Sequence, residues 1–441
     1  MTSWTRREML AAGTLAAMIS SRRSRAGSQE LQKPQSGPEA ERKASPNDSI
    51  VLGFIGVGGM GTGLLNIFKS FPDVRIAAVC DVYEPHLLRA REAAGDAAAT
   101  YRDFRNLLDR SDIDAVVVAT PDHWHAIPTI LACQAGKDVY CEKPLTHRLA
   151  EGRSVVTAAE KARRVTQMGN LIHAGENYHR VVEIVRSGVL GTISKTRVWM
   201  AADRSGLGTP PDSPPPPGCD YDFWLGPAPE RPFNPNRFTF HWRWFWDYGG
   251  GLLTDFCCHI VDLVHWAMGV EAPRSVVASG GRLALVDNAE TPDTLEVVYE
   301  YEKDGRTFLM IWSQTDANTH GLEGMGLGIM FQGTAATLVA NYHSYTIIPE
   351  RGQTIEEPPR TLPRSVGHHR EWLDAIKTRE TCSCNFEYGH RLSSVGHLGN
   401  ISLWSGEKLS WDGIAERITN HPEANHYLTK EYRRPWSLPS V

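Results

Sequence analysis

The stretch Gly249 to Trp266, GGGLLTDFCCHIVDLVHW, sets a carboxylate and an imidazole four residues apart, Asp255 and His259, directly after three glycines. On a helix, residues at i and i+4 share a face, so the two groups would act at one place. That spacing suits either a metal ion or the movement of a proton. Two ligands do not complete a metal site, and neither an HExxH motif nor a histidine cluster adds to them, so the expectation is no metal and a proton-handling pair. An imidazole titrating near neutrality can take a hydroxyl proton. Asp255, one turn earlier, can hold substrate or ring by a hydrogen bond. Asp262 falls on another part of the helical face and reads as structural.

A base alone does not oxidise an alcohol; the carbinol hydride needs an acceptor, and the amino-terminal half carries the pattern of a nicotinamide site. From Ser49 the run IVLGFIG flows into VGGMG and TGLLNIFKSF, which reads as strand, turn and helix. Gly56, Gly58 and Gly61 make G-x-G-x-x-G, with Gly59 and Met60 inside it. One glycine permits the tight turn, the next admits a pyrophosphate, and the third lets helix pack on strand. The helix N-terminus then meets the phosphate charge. The next run, VRIAAVCD, ends in Asp81, 20 residues beyond Gly61, where a carboxylate accepts from ribose hydroxyls and repels a 2′-phosphate. The cofactor expected is NAD, with NADP open because neighbouring arginines can overturn that rule.

Two further strands finish in polar signatures. DAVVVAT ends at Thr120 and leads through Pro121 to His123 and His125; KDVYCEKP ends in Glu142 and Lys143. Ligands bind at such carboxyl ends of open parallel sheets, so these six residues are expected beside the cofactor, although the two histidines read equally well as helix caps. Lys143 would donate to the substrate oxygen. Burial or nearby positive charge would lower its pKa and let it share the proton, and which of Lys143 and His259 takes it first stays open.

VTQMGN closes the first half near Gly169, with Asn170 and Tyr178 expected to line the substrate site. After the helical ENYHRVVEIVRSG come strand-like runs at SKTRVWM, RSVVASG, TLEVVYEY, RTFLMIWSQT, LGIMFQG and AATLVANY. A long segment rich in proline, glycine and tryptophan interrupts them. Within it FTFHWRWFW, with Arg243 and Trp246, suits a carbohydrate-facing or subunit-facing wall. His368 and His369 start a helix and read as structural.

At 441 residues the chain exceeds one ordinary core, which predicts two domains, 49–169 and 170–441. A net charge of -5 offers no basic field for nucleic acid, and no apolar run reaches the roughly 18 residues of a membrane span. Residues 1–26 resemble a twin-arginine export signal, with Arg6 and Arg7 before the apolar run Met9 to Ile19, and 27–48 read as a disordered linker. Export to the periplasm is expected, by a route that carries folded proteins and so suits loading of a cofactor beforehand. Eight cysteines show no CxxC pair and read as buried thiols.

Together GFIGVGGMG, ATPDHWH, CEKPLT and DYGGGLLTDFCCHIVDLVHW resemble the Gfo/Idh/MocA family of sugar and polyol oxidoreductases, over roughly residues 49 to 405. The resemblance implies an α/β chain: a Rossmann dinucleotide-binding domain followed by an α+β domain with a large, mostly antiparallel open sheet. One sheet face would receive substrate and the other would support a homo-oligomer, dimer or tetramer. It implies that Lys143, Asp255 and His259 meet at the nicotinamide and that Glu142 orients Lys143 or the nearby ribose. The activity implied is NAD(P)-dependent hydride transfer to or from a secondary hydroxyl of a sugar, polyol or related cyclic alcohol. The family also includes glycoside hydrolases that use NAD transiently, with no net redox change.

Overall fold

A computed structural model describes residues 49–441; the expected leader and linker, 1–48, lie outside the described residues. The first sheet begins with β1 (Ile50–Ile55), whose run IVLGFI is almost wholly buried, as a strand covered on both faces must be. It continues through α1 (Gly59–Lys69), β2 (Val74–Cys80), α2 (Glu84–Ala94), β3 (Ala99–Tyr101), α3 (Phe104–Leu108) and β4 (Ala115–Val118). Then follow α4 (Ala126–Gln134), β5 (Asp138–Cys141), α5 (Leu149–Ala162) and β6 (Thr166–Met168). Every ladder is parallel and the strand order is β3-β2-β1-β4-β5-β6. The order reverses between β1 and β4, which opens a crevice beyond their carboxyl ends.

The second part comprises α6 (Glu176–Arg186), β7 (Ile193–Ala201), α7 (Tyr221–Leu225), α8 (Gly251–Met268), β8 (Ser275–Gly281), β9 (Thr294–Lys303) and β10 (Arg306–Thr315). After these come β11 (Leu327–Gly333), β12 (Ala336–Ala340), β13 (Tyr345–Pro349), α9 (His368–Thr378), α10 (Phe386–Ser405), β14 (Leu409–Asp412) and β15 (Arg417–Ile418). The nine strands lie in the order β13-β12-β11-β7-β10-β9-β8-β14-β15, antiparallel except for β7 beside β10. Along β9, Leu295, Val297, Tyr299 and Tyr301 are buried while Glu296 and Glu302 face out, the period of two expected of a sheet covered on one side. Their core includes Leu253, Val261 and Val264 of α8 and Val395, Leu398 and Ile401 of α10.

The late chain returns to the first sheet. Trp372 on α9 packs its edge against Phe68 and Tyr140, at 5.4 and 5.7 Å between centroids, and Arg370 and Lys377 clasp Asp73 at 2.8 and 2.5 Å. Trp436 stacks on Phe223 and meets Trp124. The two sheets are thus held in fixed relation, as a site shared between them requires.

Candidate active site

Lys143 follows β5 at the carboxyl edge of the parallel sheet, and α8 brings Asp255 to it from the second part of the chain. The Lys143 Nζ donates to Asp255 Oδ1 at 2.5 Å and to the Asp255 carbonyl at 2.9 Å. Arg243 Nε lies 3.4 Å from the other carboxylate oxygen. The glycine that opens α8 makes this entry possible: Gly251 has φ +72°, and a Cβ there would meet Thr291 at 2.7 Å. His259, one turn beyond Asp255, bonds through Nδ1 to Asn170 Oδ1 at 2.9 Å.

These contacts set the charges. Burial alone would raise the Asp255 carboxyl, but Lys143 and then Arg243 outweigh it and hold it at about 2. Burial alone would lower Lys143, but Asp255 and then Cys258 reverse that and the net shift is upward. The expectation of a softened lysine is therefore corrected: its carboxylate partner keeps it an ammonium. Burial, with the Lys143 charge second, pushes His259 down to about 3. The expectation of an imidazole titrating near neutrality is corrected too; the ring is neutral throughout the ordinary range. Glu142, raised to about 7 by burial against the pull of Lys143, is the group beside them that changes charge near neutrality.

The crevice suits a dinucleotide. Gly56 has φ +82° with its Cα close against the Ala119–Thr120 backbone, and a Cβ on Gly61 would sit 2.0 Å from the Gly56 carbonyl, so turn and helix touch only because both are glycine. A Cβ on Gly59 would meet nothing within 4 Å, and α1 starts at Gly59 without a side-chain cap, which leaves its first amides for phosphate. Met60 stands half-buried in the same turn. Asp81 accepts from the Val57 and Tyr83 amides, both at 2.9 Å, and the side chain beside it is His86 at 3.6 Å rather than an arginine, which suits an unphosphorylated ribose. Thr120 Oγ1 is buried with no partner among the described residues, next to half-buried Pro121, an acceptor and donor left for a ligand. A strap from the second part crosses this end: Glu84 N donates to Gly218 O and Asp220 N to Val82 O, both at 2.9 Å, immediately after Asp81.

Five expected residues take other places. His123 is buried against Trp224 and Tyr248 and bonds the Trp224 carbonyl at 3.0 Å, so it is core. His125 is also buried; its Nδ1 and Nε2 lie 2.7 and 2.9 Å from the carbonyls of Pro144 and Thr120, between the loops that carry Lys143 and Thr120, and the neutral ring donates to one of them. Asn170 is fully buried and faces His259 rather than a substrate. Tyr178 is buried against Tyr342. Trp246 packs on Trp404 at 5.0 Å, and its carbonyl receives His147 and Arg148. The aromatic wall is mostly core as well: Phe238, Trp242, Trp244 and Phe245 are buried, and Phe240, 46% exposed, is the ring left to solvent beside Arg243.

Asp262 belongs to the site's support. Its Oδ2 receives Asn170 Nδ2 at 2.8 Å, and its Oδ1 receives His173 at 2.8 Å and Tyr388 at 2.5 Å. At i+3 from His259 its place on the site's side of α8 was open to sequence reasoning; His173 and Tyr388 carried no local signal. The same holds for Lys430, which bonds Glu151 at 2.9 Å and His147 at 3.2 Å behind the Lys143 loop.

The family model described as "Oxidoreductase family, NAD-binding Rossmann fold" matches residues 50–170, and the one described as "Oxidoreductase family, C-terminal alpha/beta domain" matches residues 177–438. The chain belongs to the Gfo/Idh/MocA oxidoreductase family. The matched Rossmann domain is of the NAD-binding kind, and NAD is accordingly the cofactor of this chain. A protein of Saccharopolyspora erythraea named "Glycosyl hydrolase family 109 protein" is 36% identical over 156 residues, 33% of this chain and 34% of that relative, so the match spans about a third of its length. The fold resembles the WlbA dehydrogenase of Bordetella pertussis, in complex with NADH and UDP-GlcNAcA, at a TM-score of 0.65 and 18% identity over 82% of this chain and 99% of the other. GenD2 from gentamicin A biosynthesis, in complex with NAD, is similar at a TM-score of 0.62 and 20% identity over 86% and 100%. At these identities the likeness concerns the fold.

Proposed function

We propose that this oxidoreductase acts on a secondary hydroxyl of a sugar, polyol or related cyclic alcohol. The observation that carries the reading is the junction of an ammonium and a neutral imidazole beside one carboxylate at the carboxyl edge of the parallel sheet. NAD, when bound, supplies the hydride acceptor for the carbinol carbon. Lys143, kept charged by Asp255, donates to the substrate oxygen and steadies negative charge as it forms there. His259, unprotonated at rest, accepts the hydroxyl proton as the hydride leaves, with the Asp255 carboxylate favouring the charge that forms on the ring. Loss of one proton and one hydride turns the alcohol into a carbonyl, and the reverse reaction returns both. The sugar-linked and NAD-linked names of the structural relatives support this reading.

A redox-neutral glycoside hydrolase is the second reading, favoured by the name of the family 109 relative and by the strap over the Asp81 end of the crevice. In that reading one substrate hydroxyl would give its hydride to the retained cofactor, the neighbouring C–H would lose its proton, the aglycone would leave and take up a proton, water would add to the resulting enone, and the hydride would return to the carbonyl. Incubation with a panel of sugars and glycosides, followed by nicotinamide absorbance and by release of aglycone, separates the two. Net NADH formation is the result expected; cleavage without it would transfer the assignment to the second reading, and neither would overturn both.

The pair Arg6 and Arg7 supports export through a twin-arginine route. Replacing both with lysine is expected to keep the protein in the cytoplasm, as cell fractionation would register. The outward face of the large sheet, with half-buried Val298, Leu309 and Ile311, is proposed for self-association as a dimer or tetramer, which light scattering tests.

A further inference from the structure

A neutral imidazole has one nitrogen that donates and one that accepts, and only the accepting one can serve as a base. The surroundings of His259 determine which is which. Asn170 Nδ2 faces two acceptors, Asp262 Oδ2 at 2.8 Å and the Cys258 carbonyl at 3.2 Å. Its amide nitrogen must therefore lie on that side, and Oδ1, an obligate acceptor, faces His259 Nδ1 at 2.9 Å. His259 Nδ1 must then carry the hydrogen. Among the described residues no protein group bonds Nε2, and His259 is half-buried, so the lone pair of Nε2 is left for a ligand. Asn170 and Asp262 are themselves wholly buried, and Asp262 is pinned on its other oxygen by His173 and Tyr388. His173 in turn stacks on Trp266 at 4.2 Å.

We infer that Asn170 and Asp262 are positioning residues that hold His259 in the Nδ1–H tautomer, so that Nε2 receives the proton of the substrate hydroxyl. This rests on the reading of His259 as the base. The charged and titratable groups around the device are Lys143 from the β5 loop, Asp255 and Cys258 on α8, His173 after β6, His368 on α9, and Tyr388 on α10. The direction of the amide is the point of control. With Asp262 replaced by Asn, the carboxylate that demands an N–H donor is gone; Asn170 can turn over and offer N–H to Nδ1, which would drive the hydrogen to Nε2 and occupy the base.

Ring nitrogen-15 NMR of the full chain with NAD, its histidines labelled and His259 assigned by His259→Gln, reads the tautomer directly. The wild type is expected to show protonated Nδ1 and bare Nε2. Asp262→Asn is expected to move half or more of the population to Nε2–H, with kcat reduced about tenfold or more and the NAD dissociation constant unchanged. Asn170→Ala is expected to release the tautomer to a mixture. A wild-type Nε2–H ring, or a tautomer unchanged in both variants, would overturn the inference. The spectrum does not depend on turnover, so undiminished activity of His259→Ala would instead count against the base assignment alone.

Discussion

At the scale of single residues, the site is a matter of which charges survive enclosure. Lys143 and Asp255 sustain one another, while His259 has no partner strong enough to keep a proton. Lys143→Ala and His259→Ala are therefore each expected to lower turnover by at least about a hundredfold. Fluorescence titration should find NAD binding retained in both. Glu142 titrates where its neighbours do not, because burial lifts it to about 7. A kcat/KM profile with an inflection near pH 7, lost in Glu142→Gln, is the expected outcome of a pH series. Lys143, Asp255 and His259 were legible because their spacing is local to two motifs. Asn170 was misread as substrate-lining because its partners, Cys258, His259 and Asp262, lie some 90 residues away in the chain.

At the scale of elements, periodicity carried most of the fold. Long runs such as β1, β9 and β10 announce themselves, whereas β3 with three residues, β14 with four and β15 with two are too short for alternation to register. The segment FTFHWRWFW shows the opposite failure. Its apolar character was plain, but a 3₁₀ turn at His241–Trp244 directs Trp242 and Trp244 inward, and no periodic pattern distinguishes that from a ligand-facing wall. The β1 to α1 turn is where an element's geometry and function coincide. Gly61→Ala would bring a Cβ to 2.0 Å from the Gly56 carbonyl. The turn must open, at a cost of about 1–3 kcal/mol. A lower Tm by calorimetry and an NAD affinity reduced tenfold or more are expected.

At the scale of the whole molecule, enclosure of neutral imidazoles makes stability depend on pH. Burial pushes His123, His259 and His397 to about 3 and His125 and His265 to about 4. Below about 6.5 the unfolded chain binds protons at these positions and the fold does not. Their contribution is thus complete above pH 6.5 and is lost as pH falls, at about 1.4 kcal/mol per pH unit for each group. Asp73 acts in the same direction at lower pH. Burial would raise it, but the clasp by Arg370 and Lys377 holds it at about 2, so its contribution is present above its unfolded pKa and lost as pH falls through about 2. Urea midpoints are expected to decline steadily from pH 7 to pH 5; a flat profile would contradict the enclosure of these rings.

The order of strand, glycine turn, helix and acid, and the four-residue step from Asp255 to His259, were determined by the sequence itself, since each is written in one continuous stretch of chain. Tertiary structure alone decided the rest. It joined Lys143 to Asp255 across 112 positions, reversed the expected pKa of the lysine, displaced that of the histidine, and turned Asn170 and Asp262 into the support of one ring. Such effects come from burial and from charges brought together by packing, and neither quantity exists until the chain has folded.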